Sequence, residues 1–402
     1  MYGLVLEGGG GRGAYQIGAC RAIRELGAEI SMVAGTSVGA LNGAMIVQDD
    51  LDKAYDIWHD IDTGSVLDMT GETLKEYIGN TLKTSSLKLL LRELKKILKE
   101  GGLDVGPLEK LVKNAVDEEK VRKSPIGFGI VTVDITNRRA LEIYKEQIPR
   151  GQLADYVIAS ASYPFFKRTV IDGCSYIDGA LYNVLPVNMV SGRGYNDIIV
   201  IRTYGTGMRR RINTAELNII SIAPEESLGS TMDFSTENSR RNLKLGYFDA
   251  HKKFRRLKGK KYYILPMEDD RFFINYLGNM SDEKIKRLCG LFGFNEYGMR
   301  LLFEEIVPRT GKLLGLPSGS SYEDIAAGLL EKAADGCGID RFRFYTVEEL
   351  YKILLEKRMT SNGEFVKESP GYLRNLELLS GAARDKMIAG LANELFTNEE
   401  KK

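Results

Sequence analysis

A serine flanked by glycines, Gly35-Thr36-Ser37-Val38-Gly39, closely follows a glycine tract, Gly8-Gly9-Gly10-Gly11-Arg12-Gly13. G-x-S-x-G is the sequence form of a nucleophile elbow, a sharp strand-to-helix turn that exposes a serine hydroxyl. A glycine tract that opens a helix presents backbone N–H groups without intrahelical partners, and these hold negative charge. Two such turns in succession constrain the chain to an α/β sheet. They are also two parts of an acyl-transfer site, a nucleophile and an anion cradle.

The surrounding pattern agrees. Residues 4–6 and 30–34 read as buried strands, and 12–26 reads as a helix with Tyr15, Ala19, Ala22, Ile23 and Leu26 at helical spacing. Residues 38–48 open a second helix lined with small side chains. Further strands are expected at 126–133, 141–144 and 198–203. This alternation predicts a sheet with helices on both faces, and its first two turns lie at the carboxyl edge of a mostly parallel sheet, where ligands bind. From about Ser281 helical patterns dominate, with breaks such as Pro317-Ser318-Gly319-Ser320-Ser321. The expected organisation is an N-terminal domain over 1–265, with its motifs within about 4–190, and an α-helical C-terminal region over 266–402.

Composition narrows the function classes. A 402-residue chain that is 43% hydrophobic can bury a sizeable core. Its net charge of +1 argues against general nucleic-acid binding. Cys20, Cys174, Cys289 and Cys337 show neither C-x-x-C nor a metal-ligand spacing, which fits a reducing compartment. No apolar run approaches the ~20 residues of a membrane span. No signal-peptide pattern follows Met1. The expectation is a cytoplasmic protein with no transmembrane segment, cofactor or metal.

Gly8-x-Gly10-x-x-Gly13 also fits a dinucleotide fingerprint. A Rossmann unit, however, ends its second strand in an acidic residue that binds ribose. Here Glu29 precedes that strand, which ends in the serine turn. No Gly-Lys-Ser/Thr follows the glycines, so a P-loop is excluded. The competing reading of Ser37 is a plain helix cap. Capping leaves Gly35 and Gly39 unexplained, whereas a tight elbow needs both.

A nucleophilic serine needs a base. The chain has two histidines: His59 in a helical stretch after Trp58, and His251 in a basic helical run. Neither sits at a strand end or glycine turn, so surface or packing roles suit both better. That leaves a carboxylate. In Ile171-Asp172-Gly173-Cys174-Ser175-Tyr176-Ile177-Asp178-Gly179-Ala180, Asp172-Gly173 separates two short apolar runs and reads as a hairpin turn. Asp178-Gly179 lies at a strand exit. Asp178 is the candidate base; a second structural turn is the alternative.

These blocks together resemble the patatin-like phospholipases in their bacterial form. The family's glycine motif is similar to residues 8–13, its serine block to Gly35-Thr36-Ser37-Val38-Gly39-Ala40-Leu41-Asn42-Gly43-Ala44, and its D-G-A/G block to Asp178-Gly179-Ala180. Ala159-Ser160-Ala161-Ser162-Tyr163-Pro164 and Leu228-Gly229-Ser230-Thr231-Met232-Asp233-Phe234 also resemble family blocks. The resemblance implies a three-layer α/β/α fold and a Ser37–Asp178 dyad acting on ester bonds of phospholipids or lysophospholipids. It implies an oxyanion hole from the backbone N–H groups of Gly9, Gly10 and Gly11. Gly8, Arg12, Gly13, Gly35, Gly39, Gly179 and Ala180 then support the motifs. Glu7 stands where many relatives carry Asp. The helical C-terminal region has no counterpart in the family pattern. A carboxylesterase or thioesterase with the same dyad is the alternative within the enzymes. Outside that class stand a nucleotide-binding protein and a non-catalytic partner-binding protein.

Two stretches bear on contact with lipid at a membrane surface. Residues 86–100 place Leu87, Leu90, Leu91, Leu94, Ile97 and Leu98 on one helical face, with Lys88, Arg92, Lys95, Lys96 and Lys99 mostly opposite. This reads as a surface helix with a core-facing stripe, with a lid or docking helix as the alternative. The basic run 252–261 reads as a solvated helix face, with anionic headgroups as the alternative partner.

Overall fold

The structure is a computed structural model that describes residues 1–68, 102–267, 271–360 and 381–396. The stretch 86–100 lies outside these residues. The chain divides into two compact units, Met1–Phe254 and Arg255–Lys402.

In the first unit strands and helices follow the expected alternation. The elements are β1 (Tyr2–Leu6), α1 (Gly13–Glu25), β2 (Ile30–Thr36), α2 (Val38–Val47), α3 (Leu51–Asp60), α4 (Gly106–Ala115) and α5 (Glu118–Lys123). Then come β3 (Gly127–Asp134), β4 (Arg139–Tyr144), α6 (Leu153–Ser160), β5 (Thr169–Ile171), β6 (Cys174–Asp178), α7 (Val187–Ser191), β7 (Asp197–Ile201), β8 (Asn218–Ile222) and α8 (Thr236–Arg255). The strands form one sheet in the order β5-β6-β3-β2-β1-β7-β8, with β4 also paired to β3. The run β3-β2-β1-β7-β8 is parallel, whereas β4, β5 and β6 pair antiparallel. Parallel strands are buried on both faces and read as continuous apolar runs, which is how β1 and β7 read. On one face α7 packs with Val5, Met32, Ala34 and Val200. On the other, Gly43 of α2 lies against Val33 and Phe128.

The register of β3 brings two distant segments together. Thr36, the last residue of β2, pairs with Val131, and Asp178, the last of β6, pairs with Thr132. Consecutive residues of one strand thus align the turn after β2 with the exit of β6. Asp172-Gly173 is the tight hairpin turn of β5 and β6; both residues have positive φ, 50° and 76°.

The second unit is largely helical, with α9 (Arg271–Gly278), α10 (Asp282–Leu291), α11 (Val307–Leu314), α12 (Tyr322–Gly336), α13 (Val347–Thr360) and α14 (Gly381–Phe396). Ser281 caps α10 through the Lys284 N–H, and Ser321 with Asp324 forms a capping box on α12. The core is apolar, with Leu288, Phe292, Leu329, Leu350 and Leu391 at its centre. A short parallel pair, β9 (Tyr263–Ile264) and β10 (Phe344–Tyr345), interrupts the helical pattern. The basic run 252–261 is not one helix face. The helix stops at Arg255, and Arg256 turns with φ 54°. Lys252 pairs with Glu225, Lys258 with Asp324 and Glu323, and Lys261 with Asp335. Those carboxylates come from elsewhere in the sequence, so the run looks unpaired only when read linearly. Among the described residues no helix is long and apolar enough to cross a membrane.

Candidate active site

Ser37 sits between β2 and α2 with φ 58° and ψ −127°. A non-glycine residue rarely takes positive φ, and such backbone costs of order 1–3 kcal/mol. The surroundings hold it there. The Ser37 N–H donates to Ser160 Oγ (2.9 Å), which in turn donates to the Val131 carbonyl (2.7 Å). A Cβ on Gly35 would collide with the Gly39 carbonyl, and one on Gly39 with the Leu6 carbonyl. The Ser37 side chain makes no cap on α2. Its hydroxyl donates instead to Asp178 Oδ2 at 2.7 Å.

Asp178 is 1% exposed. Its other oxygen accepts the Ala180 N–H (2.8 Å), and its own N–H donates to the Ser162 carbonyl (2.8 Å). Burial raises the Asp178 carboxyl to about 6, against the pull of the Ala180 and Ser37 hydrogen bonds. Asp172 faces solvent and accepts from Gln152 Nε2, away from Ser37. His59 is on the surface against Asp60, and His251 packs edge-on to Tyr247. Neither histidine lines the chamber at Ser37.

The glycine tract lies beside this pair and is held from three sides. Arg12 donates to the carbonyls of Gly229, Thr203 and Tyr204. It therefore fastens the tract to the loop after β7 and to the 228–234 block. Gly10 has φ 55°, and a Cβ there would run into the Thr231 carbonyl. Gly8 N–H donates to Val184 O, and Gly11 N–H donates to Thr231 O at 2.8 Å. The expected three-residue cradle is therefore narrower. The Gly11 amide is already committed, while those of Gly9 and Gly10 donate to no protein group among the described residues.

From Ser37 an apolar chamber opens. One stripe of α2, Val38, Leu41 and Met45, forms part of its wall. Trp58 and Ile57 of α3, Leu108 and Leu111 of α4, and Phe166 and Phe234 complete much of the rest. Asn42 locks the wall from behind: it donates to Gly13 O and Gln16 Oε1 and accepts from Trp58 Nε1. The chamber suits an acyl chain with its carbonyl end at Ser37. Among the described residues no cluster of His, Cys, Asp and Glu is arranged to hold a metal.

Three supports were not evident from the sequence pattern. Ser160 anchors the Ser37 amide from within the 159–164 block. Asn42 joins α1, α2 and α3. Glu7, fully buried, accepts from Arg202 Nε, Arg209 Nη2 and the N–H groups of Thr203 and Tyr204. It therefore sets the loop that borders the glycine turn. The signals for Glu7 are an acidic residue directly after an apolar strand and its place where the resembled family carries Asp.

A serine bonded to a buried carboxylate at the carboxyl edge of such a sheet places a nucleophile beside a base where ligands bind. The sequence model of the patatin-like phospholipase family matches residues 4–191. The match falls within the first unit, which has the patatin fold, and makes this span similar to a patatin-like phospholipase domain. The chain is 25% identical over 208 residues to rat patatin-like phospholipase domain-containing protein 7, which is 49% of this chain and 13% of that one. It is 51% identical over 47 residues to lysophospholipase nte1 of Aspergillus terreus, covering 12% of this chain and 3% of that one. The chain therefore matches only a small part of these relatives' own length. They are animal and fungal, so they support the family without specifying its bacterial form. VipD from Legionella pneumophila aligns over 100% of this chain and 92% of its own, at 14% identity and TM-score 0.37, too loose a likeness to inform the site.

Proposed function

We propose that this protein is a serine hydrolase that cleaves ester bonds of phospholipids or lysophospholipids. Ser37 is the nucleophile and Asp178 its base. The observation that carries the reading is the 2.7 Å hydrogen bond from Ser37 Oγ to a buried carboxylate in the wall of an apolar chamber.

Ser37 Oγ attacks the ester carbonyl carbon while Asp178 Oδ2 takes its proton. The carbonyl oxygen becomes an oxyanion beside the Gly9 and Gly10 N–H groups. Preorganised donors of this kind are typically worth about 3–4 kcal/mol each. The intermediate collapses, the alcohol or lysolipid leaves with the proton from Asp178, and an acyl-Ser37 ester remains. Water, deprotonated by Asp178, then releases the fatty acid and restores the hydroxyl. An ordinary aspartate, near ~3.9, is a weak base at neutral pH. Burial brings Asp178 to about 6, within reach of the working pH.

A lipid substrate is supported by the apolar wall and by the family. The phospholipase and lysophospholipase named among the relatives set the substrate class to test. The experiment is hydrolysis of a panel of phospholipids, lysophospholipids and neutral acyl esters, with products identified by mass spectrometry, for the native chain and Ser37→Ala. Release of fatty acid from phospholipids or lysophospholipids by the native chain alone is the expected result. Equal release by Ser37→Ala, or no release from any ester, would overturn it.

A further inference from the structure

The loop between β7 and β8 was not singled out by any motif, yet it borders the chamber. Residues 202–217 carry Arg202, Arg209, Arg210 and Arg211 against a single acidic residue, Glu216, in a chain whose net charge is only +1. Glu7 and the Met208 backbone fix this loop. Glu7 holds the N–H groups of Thr203 and Tyr204 and the side chains of Arg202 and Arg209. Met208 N–H donates to Ala180 O, and Met208 O accepts from Val184 N–H, which ties the loop to the turn carrying Asp178. Thr206, between these anchors, lines the chamber itself.

What the loop shows to solvent is unusual. Tyr204 is 52% exposed, Met208 63%, and Leu181, next to the Met208 contact at Ala180, 47%. Three large apolar side chains therefore stand out of the surface around one chamber edge. Beside them Arg209 and Arg210 keep about half their side chains in solvent while pairing with Glu7 and Glu142. Arg211 has no carboxylate partner among the described residues. Lys167 and Arg168, exposed directly after the chamber residue Phe166, add two more cations. Exposed apolar side chains interleaved with arginines match the two layers of an anionic bilayer surface: headgroup charge outside, acyl boundary just beneath. A solvated loop needs no such apolar side chains.

We infer that Leu181, Tyr204, Met208 and Arg209–Arg211 form a docking surface for anionic phospholipid membranes, which sets the chamber wall at Ala180 and Thr206 against the lipid. The inference rests on the hydrolase reading only for the purpose of docking, because binding is measured apart from turnover.

The test uses the full chain with Ser37→Ala, so that no lipid is consumed, and vesicles of phosphatidylcholine with or without about 30 mol% phosphatidylglycerol. Sedimentation should show binding to the anionic vesicles that falls with added salt. Arg210→Gln with Arg211→Gln should weaken it about 30-fold, from ~1 kcal/mol per basic residue near a charged surface. Met208→Ser should weaken it further, while Arg210→Lys with Arg211→Lys should retain it. With Ser37 restored, all these variants should hydrolyse a soluble short-chain ester within about twofold of the native rate, which also reports their folding. Three results would overturn the inference: unchanged binding in the glutamine variants, equal binding to neutral vesicles, or self-association that Arg210→Gln with Arg211→Gln abolishes in place of vesicle binding. If no form hydrolyses the soluble ester, the hydrolase reading falls while vesicle binding still decides this one.

Discussion

Replacing Asp178 with asparagine should stabilise the first unit as it removes activity. The carboxyl is raised from 3.8 to about 6 by burial. Its folded pKa thus lies above its unfolded one, and the folded state binds more protons between those values. Stability falls as pH rises through that window, and the full penalty is present above about 6. A difference of about two pKa units corresponds to ~3 kcal/mol at neutral pH. Asparagine keeps an oxygen for the Ala180 N–H and an amide for Ser37 Oγ, and it carries no charge to bury. For a unit of this size the midpoint should rise by roughly 6–12 °C at pH 8, and roughly half of that gain should remain at pH 5. Calorimetric scans of native and Asp178→Asn protein between pH 5 and 8 read this directly. A mutant midpoint equal to or below the native one at pH 8, or a gap that does not shrink towards pH 5, would refute the burial argument. Ester turnover of the same mutant should fall by about 10²–10⁴ through loss of the base.

Ser37→Ala should abolish ester hydrolysis with a native circular dichroism spectrum, because the 2.7 Å bond to Asp178 does not hold the elbow; the Ser160 contact to the Ser37 amide does. The kcat/KM of the native enzyme should rise with pH and level off above about 6 as Asp178 ionises, and His59→Ala and His251→Ala should show the same limb. Gly10→Ala should lower both turnover and the melting midpoint, since the new Cβ meets the Thr231 carbonyl at a positive φ; a stable, active variant would place the cradle elsewhere. Glu7→Ala should destabilise by about 3–5 kcal/mol, seen as a lower denaturant midpoint, because it strands Arg202, the buried Thr203 N–H and the part-buried Tyr204 N–H.

The parts of the site readable in the sequence are those whose cause is local. The strand, G-x-S-x-G and small-residue helix occupy adjacent residues, so the turn at Ser37 shows in the string itself. Asp178 could be separated from Asp172 because two apolar runs around Asp172-Gly173 announce a hairpin. The fold class follows from the same alternation. What escaped depends on partners far along the chain. Gly11 loses its free amide to Thr231, and Ser160 reaches the Ser37 amide through a helix more than a hundred residues on. Glu7 finds its arginines only after β7 completes the sheet. β8 was missed because Asn218–Ile222 is short and follows a polar, arginine-rich loop, although pairing with β7 makes it a strand. The basic run 252–261 misled for the converse reason: its acidic partners lie in other elements.

The central claim, that Ser37 is a nucleophile activated by Asp178, is tested most directly by a fluorophosphonate probe followed by peptide mapping. The account predicts one adduct, on Ser37, absent in Ser37→Ala, formed about 10²–10⁴ times more slowly in Asp178→Asn, and at native rate in His59→Ala and His251→Ala. An adduct on another residue, or an undiminished rate in Asp178→Asn, would contradict it.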